Sequence, residues 1–207
     1  MKELITRYPA LADCAKDIEA LIHVLETGFR AGGKLLLCGN GGSASDCEHI
    51  AGELLKSFVL TRRPDDTLAA ALAEDEEGGY ILSHLQQGLP TISLPSQIGV
   101  STAFVNDVAA DTVYAQLTYA YGKPCDVLWC LSTSGNSRNA VLAAKVAKAR
   151  GMKVVALTGA KESKLSALAD VTVKVPETET FKVQELHLPV YHAICAEIEA
   201  DYFDDKL

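Results

Sequence analysis

The sequence predicts an α/β fold in which a parallel sheet is covered by helices on both faces. Three observations carry that prediction. Short apolar runs of strand length alternate with stretches of helical periodicity, so successive strands must be joined by crossovers. Two of these runs end in small-residue turns that lead straight into a helix, Cys38-Gly39-Asn40-Gly41-Gly42-Ser43 and Leu131-Ser132-Thr133-Ser134-Gly135-Asn136-Ser137. At 207 residues the chain suits one domain, or one domain with an insertion, and can bury a substantial core.

The elements follow in order. Pro9 marks a helix start, and Leu11, Cys14, Ile18, Leu21, Ile22, Leu25 and Phe29 recur at three- and four-residue spacing until Gly32-Gly33 stops the helix. Lys34 to Cys38 reads as a buried strand, and an apolar-periodic helix opens after the glycine turn and runs to Leu54. From Thr61 to Gly88 the pattern is least regular. Thr67 to Glu77 reads as a helix capped by Asp66 or Thr67 and stopped by Gly78-Gly79, and Tyr80 to Gln87 reads as a second. Strands are then expected near Thr91 to Leu94, Asp126 to Leu131, Lys153 to Leu157 and Val171 to Val175. Helices are expected near Thr102 to Tyr121, Ser137 to Arg150 and Leu165 to Leu168, with a last one from Thr180 to Phe203. Pro189 falls inside that last helix, removes the hydrogen bond to the Glu185 carbonyl and should bend it.

Composition excludes several classes of function. The net charge is −8 with no basic run, which disfavours a nucleic-acid surface. No segment approaches a membrane span and the N-terminus lacks a signal-peptide core, so a cytoplasmic location is expected. The six cysteines form no C-x-x-C pair and several sit in apolar runs, which reads as buried free thiols. Glu74 to Glu77 reads as a solvated face.

The two turns are where the chemistry concentrates. A strand, a small-residue turn and a helix aim backbone N–H groups and the positive end of the helix dipole at one point, where a phosphate is stabilised. Gly39, Gly41 and Ala44 satisfy the dinucleotide spacing, but the acidic residue expected at the end of a second strand is replaced by the turn Thr61 to Asp66. The Walker pattern fails as well, since Gly42 is followed by Ser43-Ala44. A phosphate on a smaller molecule and a purely structural turn remain as readings of the first cradle. At the second, four hydroxyls and a glycine exceed the single serine a helix cap needs, which favours an anion site. His49 and Glu53 stand four residues apart and so share a helix face beside the first cradle. His187 and His192 on the last helix, taken alone, read as packed or capped residues.

Four blocks taken together resemble the sugar isomerase (SIS) domain family and, within it, the phosphoheptose isomerases. They are C-G-N-G-G-S followed by H-x-x-x-E from Cys38 to Leu54, the pair Asn106-Asp107, S-T-S-G-N-S from Ser132, and Q-E-x-H-x-x-x-x-H from Gln184 to His192. The resemblance implies a three-layer sandwich around a five-stranded, flavodoxin-like parallel sheet. It further implies a single SIS domain over residues 1–207 and a homotetramer with active sites between subunits. The activity implied is isomerisation of sedoheptulose 7-phosphate to glycero-manno-heptose 7-phosphate for bacterial surface glycans. Position by position, Asn40, Gly41, Gly42, Ser43, Glu53, Asn106, Asp107 and Gln184 correspond to residues that meet the sugar, and Ser132, Thr133, Ser134 and Ser137 to those that hold the phosphate. Glu53 and His192 match the acid/base pair, and His49, Glu53, Gln184 and His192 match a zinc site.

Chemistry bears on these expectations. An aldose–ketose shift removes a proton beside a carbonyl and returns it to the neighbouring carbon, so a base and a second proton carrier are required. Isomerisation of another phosphosugar, or a non-catalytic sugar-phosphate sensor or adaptor, are the alternatives; a sensor needs the serine cradle but has no use for Glu53 and His192. Gln184 and His192 are separated by about 12 Å of helical rise, so one ion meets both only if the side chains lean together, the helix bends or two subunits contribute. The segment from about 65 to 89 is longer than the corresponding family loop and is expected as a helical insertion.

Overall fold

The computed structural model describes residues 1–203. Five parallel strands form one sheet: β1 (Leu35–Cys38), β2 (Thr91–Ser93), β3 (Val127–Leu131), β4 (Lys153–Thr158) and β5 (Val171–Lys174), in the order β2-β1-β3-β4-β5. Every neighbouring pair is parallel, with Leu37 opposite both Ser93 and Trp129 and Cys38 opposite Cys130. The inner strands β1 and β3 are buried at every position, the signature of strands covered on two faces.

Alternate residues serve alternate layers. Leu35, Leu37, Trp129, Leu131, Val155 and Leu157 join the core with α2 (Ala15–Arg30), α3 (Gly42–Leu55) and α10 (Thr180–Phe203). Leu36, Cys38, Leu128, Cys130, Val154 and Ala156 pack on α7 (Val113–Tyr121), α8 (Arg138–Ala149) and α9 (Lys164–Leu168). All six cysteines are free thiols, and five of them are buried. Among the described residues no helix is long and apolar enough to cross a membrane.

Several local expectations are corrected. A first helix, α1 (Lys2–Arg7), precedes Pro9; its six residues bury only Leu4, too short a stretch to show periodicity. Pro9 opens a 3-10 turn to Cys14, from which α2 continues. The two helices of the 65–89 segment are shorter than the apolar pattern suggested: α4 (Asp66–Ala71) and α5 (Gly78–His84). Asp65 supplies the cap by accepting from the Leu68 amide at 2.9 Å. Gly78 begins α5 instead of ending a helix, because it lies against the Leu72 carbonyl; a Cβ there would stand 2.1 Å from that oxygen.

The expected single helix from Thr102 to Tyr121 is two. α6 (Ile98–Asp107) ends where Val108 leaves helical geometry (φ −129°, ψ −85°), and a 3-10 turn at Ala110–Thr112 leads into α7. The two halves face different surroundings. α7 buries Val113, Tyr114 and Leu117, whereas α6 buries nothing and leaves Ile98 71% and Val105 54% exposed. α10 has the expected bounds and runs through Pro189 without interruption.

Candidate active site

The order β2-β1-β3 means the chain leaves β1 toward one edge and β3 toward the other. The crevice beyond their carboxyl ends is therefore the topological switch point, the place where open parallel sheets bind ligands. Both cradles lie there, and Asn40 and Asn139 join them. Their amides pair reciprocally, Nδ2 of each donating to Oδ1 of the other at 2.9 and 2.8 Å.

In the first cradle, Gly41 adopts φ +56°, a conformation that favours glycine, and caps α3. Gly39 cannot carry a side chain because its Cβ would stand 2.6 Å from the Ser43 carbonyl. The Tyr114 hydroxyl, donating to the Gly39 carbonyl at 2.6 Å, holds the turn from beneath. Ser43 is buried, while Asn40, Gly41 and Gly42 are open to the crevice. Gln184 reaches over from α10, and a Cβ on Gly42 would stand 2.5 Å from its Nε2.

In the second cradle, Gly135 adopts φ +63° and packs on Ser163, whose Oγ lies 2.1 Å from where a Cβ would be. The Ser132 and Ser137 hydroxyls face each other at 3.0 Å, and the Asn136 amide donates to Ser134 Oγ at 3.2 Å. Ser137 occupies the cap position of α8 without using its hydroxyl as a cap. Of the first-turn amides of α8, that of Ala140 donates to Asn139 Oδ1 at 3.0 Å, which leaves the amides of Arg138 and Asn139 and the paired Ser132 and Ser137 hydroxyls as the cradle's donors to an anion. Thr133 lies between them, half-buried.

A third group stands beside the first cradle. His49 and Glu53 project from α3, with His49 Nε2 3.2 Å from Glu53 Oε1. His192 arrives from α10, its Nε2 3.4 Å from His49 Nε2, so residues from opposite ends of the chain meet within one protomer. On the far side of His49, its Nδ1 lies 3.0 Å from the Tyr191 hydroxyl, which donates to Asp46 Oδ1 at 3.2 Å. His49 thus meets Tyr191 through one ring nitrogen and both Glu53 and His192 through the other. Burial raises the Asp46 carboxyl pKa, with Tyr191 and His49 opposing. Burial first, then His49 and Arg7, lower the His192 pKa against the pull of Glu53, so its imidazole is neutral at neutral pH.

His49 therefore stands between Glu53 and His192, a set of side chains of the kind that share a proton or hold a cation. The two separations match the edge of roughly 3.3 Å in a tetrahedral site with zinc–ligand bonds of about 2.0 Å, and an imidazole steadied through its other nitrogen is the usual form of a metal ligand. The donors fit such an ion in kind and along those two edges. Among the described residues, however, no three His, Cys, Asp or Glu side chains close into a metal-holding group. Gln184 lies with the first cradle.

Asn106 and Asp107 sit exposed at the end of α6, where Asn106 Nδ2 donates to Asp107 Oδ1 at 2.8 Å. The structure gives them no bond to either cradle. Sequence reading missed Asp46, Tyr191 and Asn139. Asp46 precedes His49 by one helical turn, Tyr191 adjoins His192 and Asn139 follows the serine motif by two residues, so each was within reach of its neighbour.

The SIS domain family model matches residues 69–159. A phosphoheptose isomerase of Rhodospirillum rubrum is 35% identical over 91% of this chain and 88% of its own. The chain belongs to the phosphoheptose isomerases of the SIS family. A second such relative, from Crocosphaera subtropica, is 37% identical over 90% of this chain and 83% of its own. The solved phosphoheptose isomerase of Neisseria gonorrhoeae superposes with a TM-score of 0.76 at 30% identity, covering 96% of this chain and 94% of that one. The five-stranded sheet with flanking helices is that of this family.

Proposed function

We propose that this chain, a single SIS domain, is an aldose–ketose isomerase that interconverts sedoheptulose 7-phosphate and D-glycero-D-manno-heptose 7-phosphate. The observation that carries the reading is the meeting of Glu53, His49 and His192 beside two anion cradles. A sugar-phosphate sensor has no need of it. The phosphate binds at Ser132, Thr133, Ser134 and Ser137, and the sugar extends along Asn40 to Ser43 with Gln184 above. The Glu53 carboxylate removes a proton from C1 of the ketose. That C–H pair forms the C1–C2 double bond while the carbonyl pair moves onto O2. The neutral His192 takes the O1 proton and delivers it to O2. Glu53 then returns its proton to C2, and C1 becomes the aldehyde carbon.

A divalent ion, zinc by the chemistry of its ligands, would be held by His49, Glu53, Gln184 and His192, at a stage other than the one in which Glu53 and His192 carry protons through the same lone pairs. Such an ion would supply polarisation of the substrate's carbonyl. The assembly we propose is a homotetramer with active sites shared between subunits. The apolar surface of α6, unburied in one chain, and the position of Asn106 and Asp107 beside it support this arrangement.

Glu53→Gln is the direct test. It should abolish conversion of sedoheptulose 7-phosphate while leaving its binding, followed by calorimetry, nearly intact. Retained turnover refutes the role of Glu53, and conversion unaffected by chelation refutes that of the ion.

A further inference from the structure

Arg62 belongs to none of the motifs, yet it is 1% exposed and its guanidinium is committed on three sides. Nε donates to Glu199 Oε1 at 2.7 Å, Nη1 to the Leu54 carbonyl at 2.7 Å and Nη2 to the Glu53 carbonyl at 2.8 Å. Those two carbonyls belong to the last turn of α3, where helix carbonyls lack an intrahelical partner; the Leu54 carbonyl also accepts the Leu89 amide at 2.8 Å. One is the backbone of the proposed base. Glu199, fully buried on α10, stands seven residues after His192 and hence near the same side of that helix. Its carboxylate also accepts the Phe58, Val59 and Leu60 amides at 2.8, 2.6 and 3.0 Å. A single buried ion pair thus ties together the end of α3, the 57–62 segment and α10. The 65–89 segment grips the same place: the Gln87 amide donates to the Arg62 carbonyl at 3.3 Å and Gln86 Oε1 accepts the Ser57 amide at 2.9 Å.

We propose that Arg62, through Glu199, is a positioning residue that fixes Glu53 on α3 relative to His192 on α10. The inference rests on the role given to Glu53 above. Stability alone does not account for the pair, because buried ion pairs are often matched or bettered by apolar side chains of similar volume. What an apolar pair cannot do is hold two helix-end carbonyls and the neighbouring helix in one rigid fork.

The test uses Arg62→Met/Glu199→Gln, which removes both charges yet keeps an acceptor for the three amides, alongside Arg62→Lys. Folding and assembly are checked by circular dichroism and solution mass. The expected result for the folded double variant is a kcat for sedoheptulose 7-phosphate lower by about 100-fold, the cost of a displacement of about 1 Å at a reacting group, with KM within about threefold. The His49 and His192 imidazole resonances should shift, and Arg62→Lys should recover part of kcat. Wild-type kcat in the double variant overturns the proposal, as does a loss carried by KM or by the folded fraction alone. If the double variant does not fold, the kcat–KM split in Arg62→Lys decides by the same criterion. Should the wild type turn over no sugar phosphate, the assigned function fails; the imidazole resonances still judge the latch, and unchanged resonances overturn it.

Discussion

Gly42→Ala separates the site from the fold. A Cβ at residue 42 would stand 2.5 Å from Gln184 Nε2 and 3.0 Å from its Cδ. Ordinary contact begins near 3.4 Å, so the amide must retreat by about 0.9 Å. The obstruction is the far end of a flexible side chain, which can swing away cheaply, and alanine suits a helix better than glycine by roughly 0.5–1 kcal/mol. Unfolding stability should therefore stay within about 1 kcal/mol of wild type. Activity should not. A misplacement of about 1 Å costs on the order of 100-fold in rate, or about 2.7 kcal/mol of transition-state stabilisation. Urea unfolding and steady-state isomerisation of sedoheptulose 7-phosphate, measured on the same preparation, check the two halves. Wild-type kcat/KM in a folded Gly42→Ala protein would remove Gln184 from the site and refute the reasoning.

Three further outcomes follow from the geometry. Gly135→Ala places a side chain at φ +63° and displaces Ser163, the cap of α9, so it should lower stability by about 2–3 kcal/mol and the thermal midpoint by roughly 5–10 °C; an unchanged midpoint would contradict the packing described. Burial, opposed by the Thr158 backbone, brings the His187 pKa down from 6.5 to about 4. Because the folded value lies below the unfolded one, stability is fully present above pH 6.5 and is lost as pH falls toward 4, by roughly 3 kcal/mol; urea midpoints should show this fall in the wild type and a flatter profile in His187→Phe. Asp170 is also held below the usual carboxylate range: burial opposes this, but the Val154 amide, Lys148 and Lys153 outweigh it. Its contribution is present above the ordinary carboxylate pKa and disappears as pH drops through the lower folded value, so Asp170→Asn should lessen acid sensitivity below about pH 4.

The sheet was legible in the sequence because each strand is a short apolar run bounded by turn residues, and Leu35 to Cys38 and Val127 to Leu131 are buried at every position. The two cradles were legible because glycines and hydroxyls at a strand–helix junction have few other uses. The break between α6 and α7 was not, since an apolar stripe gives no sign of which half will find a core: Val105 is 54% exposed while Leu117 is buried. Nor could residue patterns show that Gly78 starts a helix, because the reason is a carbonyl six residues back in the chain at Leu72. The contacts that place the site's parts were hidden most deeply. Arg62 and Glu199 lie 137 residues apart and Asn40 and Asn139 lie 99 apart, and local periodicity carries no information across such distances.

Glu53 and His192 acting together as a proton-transfer pair is tested most directly by isotope uptake. Sedoheptulose 7-phosphate is incubated with the protein in deuterium oxide, and the C1 and C2 protons are followed by NMR. The account predicts that the wild type places solvent deuterium at C2 of the aldose it forms and, through the reverse step, at C1 of the remaining ketose, and that Glu53→Gln binds the sugar without exchange. A wild type that binds the sugar phosphate yet takes up deuterium at neither carbon would contradict it.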